Sequence, residues 1–547
     1  MSQNPASLSP AAATSSGRGA GSAAAMLRSL AATPSQVWGT VVLAIVIRCA
    51  LAIITRYTSE DFMITLRYAE NMASGHGMVY NFGERVLGTT TPLYTLYLAL
   101  AAYLHLSPTI CGKAINILAD GILPLLLYHW LKHEGLERPG RIAAFLAAIH
   151  PIHYQWAISG METSLVTTAG VWAWYAFSRR RHAETFTALA ILFLLRYDSL
   201  MMTAVITAAI LWRERRVPWR GLCIFLVLIS PWLLVASLYY GSPIPVTGQA
   251  KILVYGWFAD HIPASRLRYD AAGHGQGVTG FIALEPTWLL RLLPRQQKLL
   301  NVFIGTPVAA LLTIAAMVGA WHLARLRRWT LAPAVIWLLL YMAAFLVSRV
   351  LLFNWYLVPP FPVVEILAAV GISIGLNRVS RVLPMPAQRV AGYAVLATAA
   401  LAPAIAMAVT LRQSQQIEEN ARRPIGEWLN LNSRPDDHVL LEPIGYIGYY
   451  SRRRVIDVIG LVSPQVLPFY SPRVLSPWLA QIITYKPEWC VLRPLELEDI
   501  EAAARVEGYD WKSEYALERT WAYTPRKHEA PLMFYLFRRT HSSPLVR

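Results

Sequence analysis

Long apolar runs alternate with short polar stretches along most of the chain. The runs begin at Val37 and end near Leu411, and many approach the ~20 residues that a helix needs to cross a bilayer. The first run, from Val37 to Thr55, is followed by further runs and not by a small-residue cleavage site, which favours a retained helix over a signal peptide. The pattern therefore predicts a polytopic α-helical membrane protein with its membrane module at residues 37–411.

Both ends of the chain depart from this pattern. Residues 1–36 are rich in Ala, Ser and Gly and contain no acidic residue, which predicts a disordered cytoplasmic tail. After residue 411, short β-prone runs are broken by Gly and Pro and separated by acidic helical stretches such as LELEDIEAAARV. Residues 412–547 are therefore predicted to form a soluble α/β domain.

The basic residues predict the topology. The chain has 547 residues, 55% of them hydrophobic, and a net charge of +17. In a polytopic protein such an excess marks cytoplasmic loops, so it does not indicate a nucleic-acid partner. Five basic clusters recur between the apolar runs: Lys132–Arg141, Arg179–His182, Arg213–Arg216, Arg325–Arg328 and Arg378–Arg389.

If all five clusters are cytoplasmic, the segments between them turn on the opposite, outer face. The predicted outer segments are the loop 56–91 and the turns 159–164, 196–199, 241–300 and 354–356. Residues 412–547 then also lie outside, after about 11 crossings by the 20-residue criterion. Between 56–91 and Lys132 the charges allow one crossing, but two apolar runs are present, 92–106 and 114–131, and the pattern leaves open which one crosses.

Two apolar runs are too short to cross separately. Ala183–Leu195 has 13 residues and Ser199–Trp212 has 14, with Arg196 and Asp198 between them. A hairpin would place this turn within the membrane thickness, where each charge costs on the order of 3 kcal/mol unless it faces a water-filled cavity. The alternative is one long helix with an internal Arg/Asp pair. We favour the hairpin.

Two adjacent carboxylates, Glu60 and Asp61, stand where the first apolar run ends. Thr58 or Ser59 would cap a helix starting here, and capping together with the helix dipole would alone account for the acids. The next residues place one apolar stripe on an interfacial helix: Phe62, Leu66, Ala69 and Ala73. Capping leaves the following segment, GHGMVYNFGERVLGTTTP, unexplained, and this Gly-rich, aromatic segment suits a binding loop.

Residues 60–94, EDFMITLRYAENMASGHGMVYNFGERVLGTTTPLY, resemble the first external loop of bacterial GT-C glycosyltransferases, closest to the arabinofuranosyltransferase group of cell-wall synthesis and its uncharacterised relatives. Further matches follow in the same order. They are GMETSL (160–165), GSPIPVTGQAK (241–251), WYLVPPFP (355–362) and EPIGYIGYYSRRRVIDVIGLVSP (442–464). The ordered set is typical of the family, but it does not identify the sugar.

The resemblance implies a GT-C fold and transfer of a sugar, arabinofuranose among the candidates, from a polyprenyl-phosphate donor. The acceptor would be a hydroxyl of a cell-envelope glycan or glycolipid at the outer face of the cytoplasmic membrane. A hydroxyl needs a general base, and one carboxylate of the pair would supply it with inversion. The relatives usually carry Asp at the position of Glu60, so the choice between Glu60 and Asp61 stays open.

Several other side chains are candidates for donor or acceptor binding. The leaving phosphate needs cations, for which Lys251 is the best candidate; its alternative role is a lysine that snorkels to the interface. Glu162 and Asp198 would contact sugar hydroxyls, orient Arg196, or complete a site for Mg²⁺, Mn²⁺ or Ca²⁺, but no cofactor is required by the sequence. The further candidates are Arg67, His76, Trp355 and Tyr356, with ion pairing, turn capping or an aromatic belt as their alternative roles.

Two other classes of protein also fit parts of the pattern. A secondary transporter would place charges at mid-depth, but it usually shows internal repeats, and we find none in the sequence. A non-catalytic protein of envelope-glycan assembly would share the fold but would not need Glu60 or Asp61 for its activity in cells.

Overall fold

A computed structural model describes residues 30–261, 307–347, 353–379, 385–524 and 531–540. The helices are α1 Ser35–Thr55, α2 Glu60–Ala73, α3 Pro92–Tyr103, α4 Pro108–His133, α5 Glu137–Ile149, α6 Pro151–Ala157, α7 Thr163–Ser178, α8 His182–Leu195, α9 Leu200–Glu214, α10 Trp219–Tyr240, α11 Val246–His261, α12 Pro307–Arg325, α13 Ala332–Val347, α14 Phe361–Val379, α15 Met385–Ile417, α16 Arg423–Asn432, α17 Gly445–Ser451, α18 Pro477–Tyr485, α19 Pro494–Glu507 and α20 Trp511–Glu514.

The helical membrane module is confirmed, but the number of crossings is not. Among the described residues, five helices are long and apolar enough to span a bilayer, namely α1, α4, α10, α12 and α14. Shorter apolar helices include α3 and α8. The figure of about 11 crossings therefore stays a prediction.

Helix length indicates which of the two apolar runs before Lys132, 92–106 or 114–131, can cross the membrane. Helix α4 has 26 residues and contains the whole of the run 114–131, whereas α3 has only 12 residues. At 1.5 Å per residue, α3 is much shorter than a ~30 Å hydrocarbon core. The second run is therefore the one that is long enough to cross.

The hairpin predicted around Arg196 is confirmed. The helix breaks at Arg196, which has an extended backbone, and one short helical turn, Tyr197–Ser199, leads into α9. His182 at the start of α8 lies 3.0 Å from the carboxylate of Glu214 at the end of α9. The two helices therefore run antiparallel, and their basic ends meet.

Basic segments from three parts of the chain meet at one end of the bundle. Arg328 donates a 3.1 Å hydrogen bond to the carbonyl of Glu134, and Arg138 donates to Asn377. At the other end, the amide of Ser59 donates to the carbonyl of Ser159 at 2.8 Å. Among the described residues, these contacts separate the basic segments around Glu134, Arg328 and Asn377 from the turns around Ser59 and Ser159, which the charge pattern assigned to the opposite face.

Four buried ionisable residues connect the helices inside the bundle. Arg48 of α1 pairs with Asp120 of α4 and donates to the carbonyl of Ala147 at the end of α5 at 2.9 Å. His153 of α6 lies 3.1 Å from both carboxylate oxygens of Glu365 in α14 and 3.6 Å from Asp120. Helices α6 and α14 precede and follow the turns that carry Glu162 and Tyr356, so this network stabilises the scaffold of those turns.

The C-terminal region contains the predicted α/β fold. Its strands are β1 His438–Leu441, β2 Arg454–Asp457, β3 Trp489–Leu492, β4 Tyr515–Tyr523 and β5 Leu532–Arg539. They form a five-stranded sheet in the order β2-β1-β3-β5-β4, in which β1 pairs in parallel with β2 and β3 and the other pairs are antiparallel. Helix α15 continues through residue 411 to Ile417 before this region begins.

Two predicted segments are only partly described. Within the predicted outer segment 241–300, the structure describes a helix, α11, which ends at His261. Residues 262–306 and most of the predicted tail 1–36 lie outside the described residues.

Candidate active site

Helix α2 lies between the membrane module and the C-terminal region. Its predicted stripe is buried at Phe62, Leu66 and Ala69, which are at most 2% exposed. Ser59 occupies the N-cap position but makes no side-chain capping hydrogen bond. Contacts with both parts of the protein therefore fix the start of α2, and capping by Ser59 does not.

The two adjacent carboxylates occupy different environments. Glu60 is buried and accepts a hydrogen bond from the backbone amide of Gly445, which opens α17 in the C-terminal region. A Cβ at Gly445 would collide with the carbonyl oxygen of Glu60, so only glycine allows this close approach. Asp61, by contrast, is half-buried, and Lys251 is the cation that acts on it. Glu60 thus contacts the scaffold, whereas Asp61 is partly exposed and lies within electrostatic range of Lys251.

Burial raises the pKa of both carboxyls above the ordinary values. For Glu60 the negative charge of Asp61 adds to the effect of burial, while Arg422 opposes it. For Asp61 the positive charge of Lys251 opposes burial. A carboxylate with a raised pKa binds a proton more strongly, which suits a general base.

Lys251 of α11 lies in an aromatic environment. Its Nζ donates a 3.0 Å hydrogen bond to the hydroxyl of Tyr356 and lies 5.5 Å from the ring centroid of Phe353 and 6.0 Å from that of Trp355. Burial alone would lower the pKa of Lys251, but Tyr356 and Asp61 raise it. The amine therefore stays charged in this environment and retains donors for a phosphate.

The Arg196 hairpin reaches the same site. The guanidinium of Arg196 lies 4.8 Å from the ring centroid of Tyr356 and pairs with Asp198 at 2.6 Å. Its buried Nη1 has no hydrogen-bond partner among the described residues. Glu162 is buried nearby: burial raises its pKa, and Arg196 opposes this effect. An unpaired buried guanidinium nitrogen is costly unless a ligand satisfies it.

The turn at Asn354–Leu357 presents the two predicted aromatic residues differently. Tyr356 lies between the two cations, as described above. Trp355 stacks on Phe353 with ring centroids 4.4 Å apart and contacts Trp156 edge-on at 5.5 Å. Tyr356 therefore lies at the centre of the cluster, while Trp355 forms an aromatic wall beside Lys251.

Arg67 and His76 are not brought to this cluster. Arg67 is buried and donates to the carbonyls of Gly448 and Arg453 at 2.6 and 2.7 Å, so it binds α2 to the C-terminal region. His76 is exposed and stacks on Phe82 at 4.2 Å. The donor contact expected for both residues stays a prediction. The partners of Arg67 are distant from it in sequence, whereas Phe82 is close to His76.

Sequence reasoning missed Glu442. This residue precedes α17, pairs with Arg493, and is close enough for its charge to raise the pKa of Asp61 and of Tyr255. Glu442 opens the matched segment EPIGYIGYY, so the signal was present in the motif. Nothing in the local pattern indicated that the soluble region folds back onto α2.

The acidic residues do not form a compact ligand set. Among the described residues, no three Asp, Glu, His or Cys side chains converge in the way that a metal ion requires. We therefore assign no step to a metal.

Comparison with solved structures identifies the fold. ArnT from Cupriavidus metallidurans bound to undecaprenyl phosphate superposes with a TM-score of 0.52 and 14% identity, covering 92% of this chain and 98% of that one. The chain has the GT-C glycosyltransferase fold. AglB oligosaccharyltransferase from Archaeoglobus fulgidus, in complex with an inhibitory peptide and a dolichol-phosphate, gives a TM-score of 0.53 and 14% identity over 93% of this chain and 75% of that one.

Other comparisons add less. The mycobacterial arabinofuranosyltransferase AftD matches with a TM-score of 0.42 and 14% identity, over 91% of this chain and 41% of that one, which is too low to argue about the sugar. Residues 408–537 match a family described as a domain of unknown function (DUF8728). No curated protein sequence matches the chain. The GT-C fold inferred from the sequence motifs is thus confirmed.

Proposed function

We propose that this protein is a membrane glycosyltransferase that moves a sugar from a polyprenyl-phosphate donor to a hydroxyl of a cell-envelope glycan or glycolipid. The observation that carries the proposal is the position of Asp61. This half-buried acid has a raised pKa and lies within electrostatic range of Lys251. Lys251 donates to the Tyr356 hydroxyl at 3.0 Å, and the Tyr356 ring lies 4.8 Å from the guanidinium of Arg196. A base beside paired cations is what inverting displacement of a lipid phosphate requires.

Asp61 acts as the base in this proposal. Its carboxylate takes the proton of the acceptor hydroxyl as the oxygen attacks the anomeric carbon of the donor. The new C–O bond forms on the face opposite the phosphate, and the bond between the anomeric carbon and the phosphate oxygen breaks. The products are the inverted glycoside and the polyprenyl phosphate, which leaves as an anion and needs no proton from a general acid.

Lys251 and Arg196 bind the leaving phosphate. Lys251 is charged and uses one of its three N–H donors on Tyr356, and Arg196 has a buried Nη1 that a phosphate oxygen would satisfy. Asp198 accepts two hydrogen bonds from the Nε and Nη2 edge of the guanidinium. Glu162 and Trp355 are then placed to contact the sugar.

Glu60 is a positioning residue in this scheme. Its hydrogen bond with Gly445 fixes the first turn of α2, which carries Asp61, against the C-terminal region. The departure from the aspartate of the relatives falls on this position, so the longer side chain changes a scaffold contact and leaves the base unaltered.

The comparisons support the class of donor. One similar structure contains undecaprenyl phosphate and another contains a dolichol-phosphate. Arabinofuranose rests on the resemblance of the ordered sequence motifs alone, and the acceptor rests on the placement of the site away from the basic clusters. That placement corresponds to the outer face of the cytoplasmic membrane by the positive-inside rule.

The test is a donor panel. Purified full-length protein is incubated with polyprenyl-phosphate sugars, including the arabinofuranosyl donor, and release of polyprenyl phosphate is followed with and without envelope glycans as acceptors. We expect acceptor-dependent release with one donor and none with Asp61→Asn. Transport of a donor into vesicles without any bond cleavage would favour the transporter alternative and would contradict the proposal.

A further inference from the structure

A polar cavity lies at the same end of the bundle as Asp61, beside α1. It has a volume of about 210 Å³, and neither Asp61, Lys251 nor Arg196 lines it. Its wall is formed where α1 ends, where α4 begins and where α15 leads into the C-terminal region. Three cations contribute to this wall: Arg56, Lys113 and Arg423. We call it the α1–α4 cavity.

Lys113 and Arg423 in the wall of the α1–α4 cavity keep N–H groups that have no acceptor among the described residues. Lys113 Nζ donates to the carbonyl of Tyr57 at 2.6 Å and to that of Arg56 at 3.4 Å, which uses two of its three N–H groups. Arg423 uses Nε on Glu427 at 2.7 Å and stacks 4.9 Å from the centroid of Tyr450, which leaves both Nη atoms without a partner among the described residues. These donors can bind an anion.

Of the three cations, Arg56 makes the fewest side-chain interactions with the described residues. It follows the last residue of α1, is exposed, and makes no side-chain hydrogen bond or ion pair among the described residues. The acid in the cavity wall is Glu419. Glu427 also pairs with Arg423 at 2.7 Å, so three cations and two carboxylates leave a net charge of +1 (3 − 2), and an anion is the complementary ligand.

The position of these charges in the membrane protein is unusual. The positive-inside rule depletes the outer ends of helices in Lys and Arg, and the other basic clusters follow it. Snorkelling would explain single cations at the interface, but it gives no reason for three of them on one cavity. A shared anionic ligand at the headgroup level does give a reason.

Apolar side chains beside the cavity match the rest of such a ligand. Ile53 and Ile54 at the end of α1 are 76% and 54% exposed, and Ile110 at the start of α4 is 69% exposed. On helices of membrane length, these side chains face the acyl chains. If a lipid phosphate occupies the cavity, the acyl chains of the same lipid can therefore lie along this apolar surface.

We propose that the α1–α4 cavity binds the phosphate headgroup of an anionic membrane phospholipid, with its acyl chains against Ile53, Ile54 and Ile110. Arg56, Lys113 and Arg423 contact the phosphate oxygens. Because Arg423 begins α16 and Lys113 belongs to α4, the bound lipid links the C-terminal region to the membrane module. The proposal does not depend on glycosyl transfer.

The test is a lipid titration of the delipidated full-length protein in detergent, followed by native mass spectrometry. Phosphatidylglycerol and phosphatidylcholine with identical acyl chains are compared. We expect phosphatidylglycerol to bind at least ~10-fold more tightly, on the scale of a charge-assisted hydrogen bond. The triple variant Arg56→Gln/Lys113→Gln/Arg423→Gln should lose this preference. Equal binding of the two lipids by the wild type would overturn the proposal.

Matched controls separate the site from general charge effects. Arg220→Gln removes the same charge from an exposed position at the start of α10, at the basic end, and should keep the full preference. If the triple variant does not fold, Arg56→Gln alone is used, because its side chain makes no interaction whose loss would affect folding. Preference retained in Arg56→Gln at the wild-type level would then refute the assignment.

Two further measurements distinguish a lipid from free phosphate as the ligand, and lipid binding from the transfer reaction. Inorganic phosphate at about 10 mM, roughly ten times the Kd of a millimolar anion site, should not displace phosphatidylglycerol. Full displacement would refute the proposal that the ligand is a lipid. Asp61→Asn should bind phosphatidylglycerol as the wild type does. Loss of transfer with retained lipid preference would therefore concern Asp61 alone, and failure of the lipid preference would leave the proposed transfer reaction untouched.

Discussion

Exchange of each carboxylate for its amide should separate the roles of Asp61 and Glu60. Asp61→Asn keeps the size of the side chain but removes the proton acceptor. A positioned base contributes ~10²–10⁴-fold to the rate, or about 2.7–5.5 kcal/mol of the activation barrier. We therefore expect kcat to fall at least ~10²-fold in Asp61→Asn while donor binding changes little, since Lys251 and Arg196 remain.

Glu60→Gln should have a much smaller effect. The amide oxygen can still accept the hydrogen bond of the Gly445 amide, and the amide nitrogen can donate toward Asp61. The substitution weakens the hydrogen bond to Gly445 by at most the difference between a charged and a neutral acceptor, about 1 kcal/mol, or under ~10-fold in rate. Glu60→Ala, which removes the acceptor, should instead lower the thermal stability of the purified protein.

The pH profile supplies an independent measure. The base must be deprotonated, so kcat/KM should fall as the pH falls through the pKa of Asp61. Because burial raises that pKa, the acid limb should lie above ~3.9, the ordinary value for aspartate. The limb should be absent or moved in Asp61→Asn.

The assay measures release of polyprenyl phosphate under single-turnover conditions, with membrane expression and melting temperature as controls for folding. A loss in Glu60→Gln larger than in Asp61→Asn would reverse the roles. Near-normal turnover in both variants would refute the base assignment altogether, and the search would move to Glu162 and Asp198.

Three other outcomes follow from the structure. Lys251→Met should raise the KM for the donor by ~10–100-fold, since a hydrogen bond to a charged group contributes about 1.5–3 kcal/mol, and an unchanged KM would indicate a snorkelling lysine. Arg48→Met should destabilise the protein by ~3–5 kcal/mol because it leaves Asp120 buried without its partner, and Asp120→Leu in the same chain should recover part of the melting temperature. A reporter active only outside the cytoplasm, fused after Arg547, should be active; activity of a cytoplasmic reporter there would invert the topology.

The sequence by itself determined the features that depend on local pattern and on the bilayer. Apolar runs, basic clusters and two short helices flanking Arg196 and Asp198 were enough to predict the helical module, the separation of its two ends and the hairpin. These follow because each helix must satisfy its own backbone and place its charges outside the hydrocarbon, whatever its neighbours are. Ordered motifs added the GT-C fold.

Only the tertiary structure decided which side chains meet. Glu60 and Asp61 are adjacent in sequence, yet one contacts Gly445, 385 residues away, and the other lies within electrostatic range of Lys251. Arg67 was predicted to bind the donor, and only the structure shows that its side chain donates to two carbonyls of the C-terminal region. Such contacts depend on how the soluble region folds back onto α2, and neither periodicity nor charge along the chain encodes a distance between segments so far apart.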